Sequence, residues 1–91
     1  MLNEWNETIA RQIAESENIT LNENHWKIIH FLRELYAEYE LIPPMRIFVK
    51  KVAERFDSYL GNTILLQTLF PGGALKQSCK IAGLPIPRHC L

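Results

Sequence analysis

Only two cysteines occur in the 91 residues, and the first residues show no signal-peptide pattern. That excludes the disulfide framework by which small exported domains compensate for a thin core. It also points to a reducing, cytoplasmic setting. No apolar run approaches the roughly 20 residues that a membrane-spanning helix requires. A structural zinc site is excluded by spacing: there is no second cysteine pair, and His25, His30 and His89 are scattered. No cofactor motif is present. Glycine is sparse (four residues), no segment is of low complexity and none repeats. Hydrophobic residues make up 47% of the chain, too many for a disordered one. Net charge is zero, which argues against a protein that binds nucleic acid by bulk electrostatics.

The charge that is present is unevenly distributed. Residues 1–40 carry Arg11, Lys27 and Arg33 against eight acidic side chains, a net of −5. Residues 41–91 carry seven basic side chains against Glu54 and Asp57, a net of +5. Beyond Pro71 there are Lys76, Lys80 and Arg88 and no acidic side chain. Either this is a solvated face, or it is a basic surface that favours a thiolate or persulfide and steers an acidic partner.

Apolar spacing is helical throughout, and the fold class is all-α: a small orthogonal bundle of about five short helices. The first helix carries Trp5, Ile9, Ala10, Ile13 and Ala14 on one face and runs to about Glu17. Thr20 and Glu23 form a capping-box pattern that opens the second, which presents Trp26, Ile29, Leu32, Leu35, Tyr36 and Tyr39. Pro43-Pro44 stop it, with Pro44 suited to the first turn of a third helix bearing Met45, Phe48, Val49, Val52 and Phe56. Asn62 caps a fourth helix to Leu69, and Pro71-Gly72-Gly73 turn into a fifth over about 74–82. On this last helix Ala74, Leu75, Ser78, Cys79 and Ala82 share a face.

Residues 1–83 are thus expected to form a helical domain and 84–91 a flexible C-terminal arm. Gly83 tolerates the left-handed backbone that ends a helix, and Pro85 and Pro87 cannot continue one. Cys79 reads as a small hydrophobe of the helix face. Cys90 has no packing periodicity around it and is expected to be exposed and reactive. Arg88 and His89 favour its thiolate, while the terminal carboxylate opposes it. Ten residues lie between the cysteines, so a fold-back that pairs them is within reach if their Cα atoms come within about 7 Å.

Several stretches resemble the DsrC/TusE family of sulfur-relay proteins: Gly61-Asn62-Thr63, Leu69-Phe70-Pro71, Lys76-Gln77, and Lys80-Ile81-Ala82-Gly83-Leu84-Pro85 followed by Pro87 and Cys90. Upstream, His25-Trp26, Phe31-Leu32-Arg33 and Pro44-Met45-Arg46 with Val49-Lys50 fit the same pattern. The resemblance implies a persulfide carrier of sulfurtransferase type rather than a stand-alone enzyme. Its penultimate cysteine, here Cys90, would accept sulfur from a donor protein and pass it to an acceptor. In the TusE branch the relay serves tRNA 2-thiouridine synthesis through a Tus-type complex and a tRNA thiouridylase, and needs only that cysteine. In the DsrC branch the partner is dissimilatory sulfite reductase, and a second cysteine, here Cys79, takes part through a trisulfide. Arg46, Lys50, Lys76, Lys80 and Arg88 are the residues expected to stabilise the anion or dock partners. The sequence departs from the family at Gly73-Ala74-Leu75 and at Arg88-His89, and it has no residues for the β-hairpin with which the family normally begins. Two other readings compete. Pro44 to Phe56 is a basic helix that could serve a helix-turn-helix-like nucleic-acid-binding module. A plain helical adaptor with an incidental terminal cysteine is the other.

Overall fold

The computed structural model describes residues 4–87, which fold into five helices and no strand. The helices are α1 (Glu7–Ser16), α2 (Glu23–Tyr39), α3 (Met45–Arg55), α4 (Thr63–Leu69) and α5 (Ala74–Ile81). The all-α expectation holds, with helix ends within a few residues of those read from the sequence. No helix among the described residues is long and apolar enough to cross a membrane.

Three helix starts differ in detail from the sequence reading. Asn6 caps α1 by accepting the Ile9 N–H, so Trp5 lies just outside the helix rather than on its face. The second helix is opened by Asn22 and His25, not by Thr20 and Glu23. The Asn22 side chain accepts the Asn24 and His25 N–H groups, and His25 Nδ1 accepts the Asn22 N–H at 3.1 Å. Histidine here takes the part that Glu or Gln plays in the usual capping box. Glu23 falls at the first helical position, where its charge complements the helix dipole. The third helix is preceded by Pro44 as its N-cap, with φ −62° and ψ 159°, so the helix proper begins at Met45. Asn62 caps α4 as its side-chain chemistry predicts, accepting the Leu65 N–H.

The core gathers around α5. An isolated eight-residue helix is unstable in water, and α5 is ordered because Ala74, Leu75, Gln77, Ser78, Cys79 and Ile81 are all buried. It packs against α1, α2 and α4. Ala10 and Ala14 give α1 a small-residue face, and Ile28, Ile29, Leu32 and Leu35 form the long apolar stripe of α2. Phe48 and Val52 bring in α3, with the Phe31 ring against Phe48 and Phe56 at centroid distances of 6.1 and 5.7 Å. Tyr39, read as part of the α2 stripe, is half exposed instead. It occupies the last position of α2, after which Glu40 ends the helix in the left-handed region at φ 59°.

Gly61 marks a close backbone approach between the loop before α4 and α3. A Cβ at this position would lie 2.4 Å from the Ala53 nitrogen and 2.5 Å from its Cα. No flexible side-chain end can yield there.

Candidate functional site: the end of α5 and the root of the arm

The last turn of α5 is where the scaffold hands the chain to the C-terminal segment. A helix C-terminus leaves carbonyls without intrahelical partners. Here Cys79, Lys80, Ile81 and Ala82 all have one. The Leu84 N–H donates to Cys79 O at 2.9 Å, and the Gly83 N–H donates to Lys80 O at 3.2 Å. With Gly83 at φ +72°, this is a Schellman motif. Its outer apolar residue, Leu84, is buried, so the first residue of the arm is still part of the packed body.

The other two carbonyls are met by side chains from far along the chain. Trp5 Nε1–H donates to Ile81 O at 2.8 Å, and Arg33 Nη1–H donates to Ala82 O at 2.6 Å. The two donors also stack, the guanidinium carbon lying 4.1 Å from the centroid of the Trp5 ring. Burial pulls the Arg33 pKa down from its ordinary value, but an arginine keeps its charge in proteins, and that charge faces the negative end of the α5 dipole. The approach is tight. A Cβ on Gly83 would stand 2.6 Å from Trp5 Cδ1.

A second set of bonds ties α5 to α1. Buried Gln77 donates from Nε2 to Glu17 Oε1 at 3.0 Å and accepts the Gly72 N–H on Oε1 at 2.9 Å. Lys80 Nζ donates to Glu17 Oε2 at 2.8 Å. Glu17 is the C-cap of α1, a poor place for a carboxylate next to a helix dipole. Gln77 and Lys80 make it tolerable, and they hold its carboxyl below the usual carboxylate range, with the Gln77 hydrogen bond the larger cause. At the start of α5, Gly73 has no side chain to cap with, and Gln67 Oε1 accepts the Ala74 N–H instead.

Cys79 is completely buried on α5. Its helix face is the one read from the sequence, since Ala74, Leu75, Ser78 and Ala82 are buried with it. Cys90 and Arg88 lie outside the described residues. Of the other basic residues singled out, Lys76 and Lys80 are exposed on α5, and Lys80 is already engaged by Glu17. Arg46 and Lys50 are exposed on α3, a different element. The remaining cations of the helix that supported the nucleic-acid reading have partners at the surface: Arg55 lies 3.9 Å from Glu34, and Lys51 sits over the Tyr39 ring. Among the described residues no group of three or more His, Cys, Asp and Glu side chains could hold a metal ion.

Trp5, Arg33 and Gln77 were not singled out from the sequence as site residues. Their partners lie 76, 49 and 60 residues away. Arg33 and Gln77 do fall inside motif segments, and a charged or amide residue within an apolar stretch was the available signal.

What this architecture defines is a class: a small all-α scaffold whose central helix is pinned at its C-terminus and continues into a short cysteine-bearing segment. The chain belongs to the DsrC-like family. The pattern of that family, described as DsrC like protein, matches residues 1–91. The sulfurtransferase TusE homolog of Haemophilus influenzae is 48% identical over 88 residues, which cover 97% of this chain and 81% of the relative. Among solved structures, DsrC of Allochromatium vinosum superposes with a TM-score of 0.89 at 43% identity, covering 99% of this chain and 80% of that one. The oxidized gamma-subunit of the dissimilatory sulfite reductase (DsrC) from Archaeoglobus fulgidus superposes with a TM-score of 0.84 at 37% identity, covering 99% and 82%.

Proposed function

We propose that this protein is a sulfur carrier that takes up persulfide sulfur on Cys90 and passes it to a partner protein. The observation that carries the reading is the terminal motif itself, attached to a helix end whose carbonyls are all capped in a chain of the DsrC-like family. Seven residue steps separate Gly83 from Cys90, a contour of at most about 25 Å, enough to enter a partner's active site. In the loading step the Cys90 thiolate attacks the outer sulfur of a donor persulfide. A new Cys90–S–SH bond forms, and the donor leaves as its thiolate. In the unloading step an acceptor thiolate attacks the outer sulfur in turn, and Cys90 leaves as thiolate. Lys76, Arg46, Lys50 and Arg88 serve to dock partners or to favour the anion, and Lys80 would first have to leave Glu17.

The partners are a sulfur donor and a sulfur acceptor. They belong either to a relay for tRNA thiolation, as the resemblance to the TusE branch implies for a chain whose relatives are named sulfurtransferase, or to dissimilatory sulfite reductase, as the name of the Archaeoglobus structure indicates. The setting is the cytoplasm. In the second case Cys79 would attack the inner sulfur of loaded Cys90, hydrosulfide would leave, and a Cys79–Cys90 disulfide would remain. Complete burial of Cys79 makes that step dependent on local opening of α5 or the arm root.

Intact-mass spectrometry after incubation with a low-molecular-weight persulfide tests the proposal. A gain of one sulfur atom that disappears in Cys90→Ser supports it. A gain that persists in Cys90→Ser overturns it.

A further inference from the structure

We infer that Arg33 and Trp5 form a clamp that fixes the direction in which the arm leaves α5, and that both are positioning residues for sulfur transfer. The inference rests on the carrier reading above for its functional part and on geometry alone for its structural part. An ordinary helix end needs only the Schellman pair, which is already present in the Gly83 and Leu84 N–H bonds. Two further donors converge on the next two carbonyls, Ile81 and Ala82, from the segment before α1 and from the middle of α2. They lean on each other across a 4.1 Å cation–π contact, and Gly83 leaves no space between its Cα and the Trp5 ring. Leu84 is buried, whereas Pro85 and Ile86 are exposed, so the clamp lies at the point where the chain departs from the body.

A carbonyl held by one donor can still rotate about that bond. Two adjacent carbonyls held from two different elements fix the orientation of the peptide planes between them. The planes concerned are those that lead into Gly83, so the clamp sets the starting direction of the arm. Stiff Pro85 and Pro87 carry that direction outward. For a transfer reaction between two proteins, orientation of the nucleophile is a large part of the rate.

The test places spin labels on Cys90 and on a Glu54→Cys substitution in α3 and measures the distance distribution between them. Labelling is done under native conditions, where buried Cys79 is shielded. Trp5→Phe keeps the ring and removes the Nε1–H, and Arg33→Met keeps the stem and removes the donors. Both are expected to broaden the distribution, the pair together more than either alone, and Arg33→Lys is expected to restore much of the lost order. Amide exchange within α5 is expected to stay protected in all of them. A distribution of wild-type width in the double variant overturns the clamp. Broadening that comes only with loss of α5 protection also overturns it, because the residues would then merely stabilise the helix.

The functional arm compares Cys90 loading by a small persulfide with loading by a persulfide-loaded rhodanese, used as a protein-sized donor. The ratio of protein-donor to small-donor rate is expected to fall by about tenfold in the clamp variants. An unchanged ratio overturns the positioning role. Failure of the wild type to load from either donor would sink the carrier reading, while the distance measurement would still decide the clamp.

Discussion

Replacing Gly83 with alanine tests the arm root by two mechanisms that can be separated. The first is the backbone. At φ +72° a residue with a Cβ costs about 1–2 kcal/mol relative to glycine. The second is contact. The new Cβ would lie 2.6, 3.1 and 3.3 Å from Trp5 Cδ1, Cγ and Cβ, so the indole must move. Moving it breaks the 2.8 Å hydrogen bond to Ile81 O, at about 1 kcal/mol, and leaves that carbonyl without a partner. The smaller entropy of the unfolded alanine chain returns about 0.5–1 kcal/mol. The net is a destabilisation of roughly 1–2.5 kcal/mol. At about 4–8 °C of Tm per kcal/mol for a domain of this size, Tm should fall by about 4–20 °C.

The two mechanisms are resolved by repeating the substitution in a Trp5→Ala background. There the clash and the lost hydrogen bond are already absent, so Gly83→Ala should cost only its backbone part. The double-mutant cycle, measured by urea denaturation, should show a coupling of about 1 kcal/mol or more. Equal costs of Gly83→Ala in both backgrounds would refute the claim that Trp5 is packed against the arm root. A fall in Tm of only a degree or two would refute the left-handed cap as well.

Other expectations follow from individual groups. Cys90→Ser should abolish sulfur uptake in intact-mass spectrometry, while Cys79→Ser should leave uptake intact and remove any disulfide or trisulfide linking the two positions. His25 is buried, with Nδ1 accepting the Asn22 N–H and Nε2–H donating to Leu69 O at 2.8 Å. Burial lowers its pKa from 6.5, so the unfolded chain binds the proton first. Stability should therefore be full above about pH 6.5 and fall as the pH drops below it, and urea midpoints in His25→Gln should lack that part of the slope. The Glu17 carboxyl is also depressed, from 4.5, by Gln77 and Lys80. Its contribution is present above that value and is lost as the pH falls through the folded pKa, so Glu17→Gln should flatten the acid limb of the stability profile.

The parts of this molecule that were legible in the sequence are those specified locally. Helical periodicity, Asn62 as a cap, Pro43-Pro44 as a break and Gly83 as a left-handed stop each act within a few residues; the structure has five helices, the Asn62 cap, the break before α3 and Gly83 at positive φ, while Trp5 and Tyr39 depart from the faces their spacing suggested. The buried face of α5 was legible for the same reason. Where two local signals competed, the nearer rule misled: Thr20 and Glu23 have capping-box spacing, but Asn22 with His25 satisfies more N–H groups and lets His25 reach Leu69 and the Phe70 ring. Lys80 read as a cation open to partners because Glu17, which holds it, is 63 residues away. Trp5 shows the limit most clearly. Its apolar spacing with Ile9 and Ile13 is genuine, yet its ring lies before the helix, and its one polar atom meets a carbonyl at the opposite end of the chain. Nothing within several residues of Trp5 encodes that bond. It exists because α1 and α2 are packed on α5 in one arrangement that brings Trp5 and Arg33 together over the last turn.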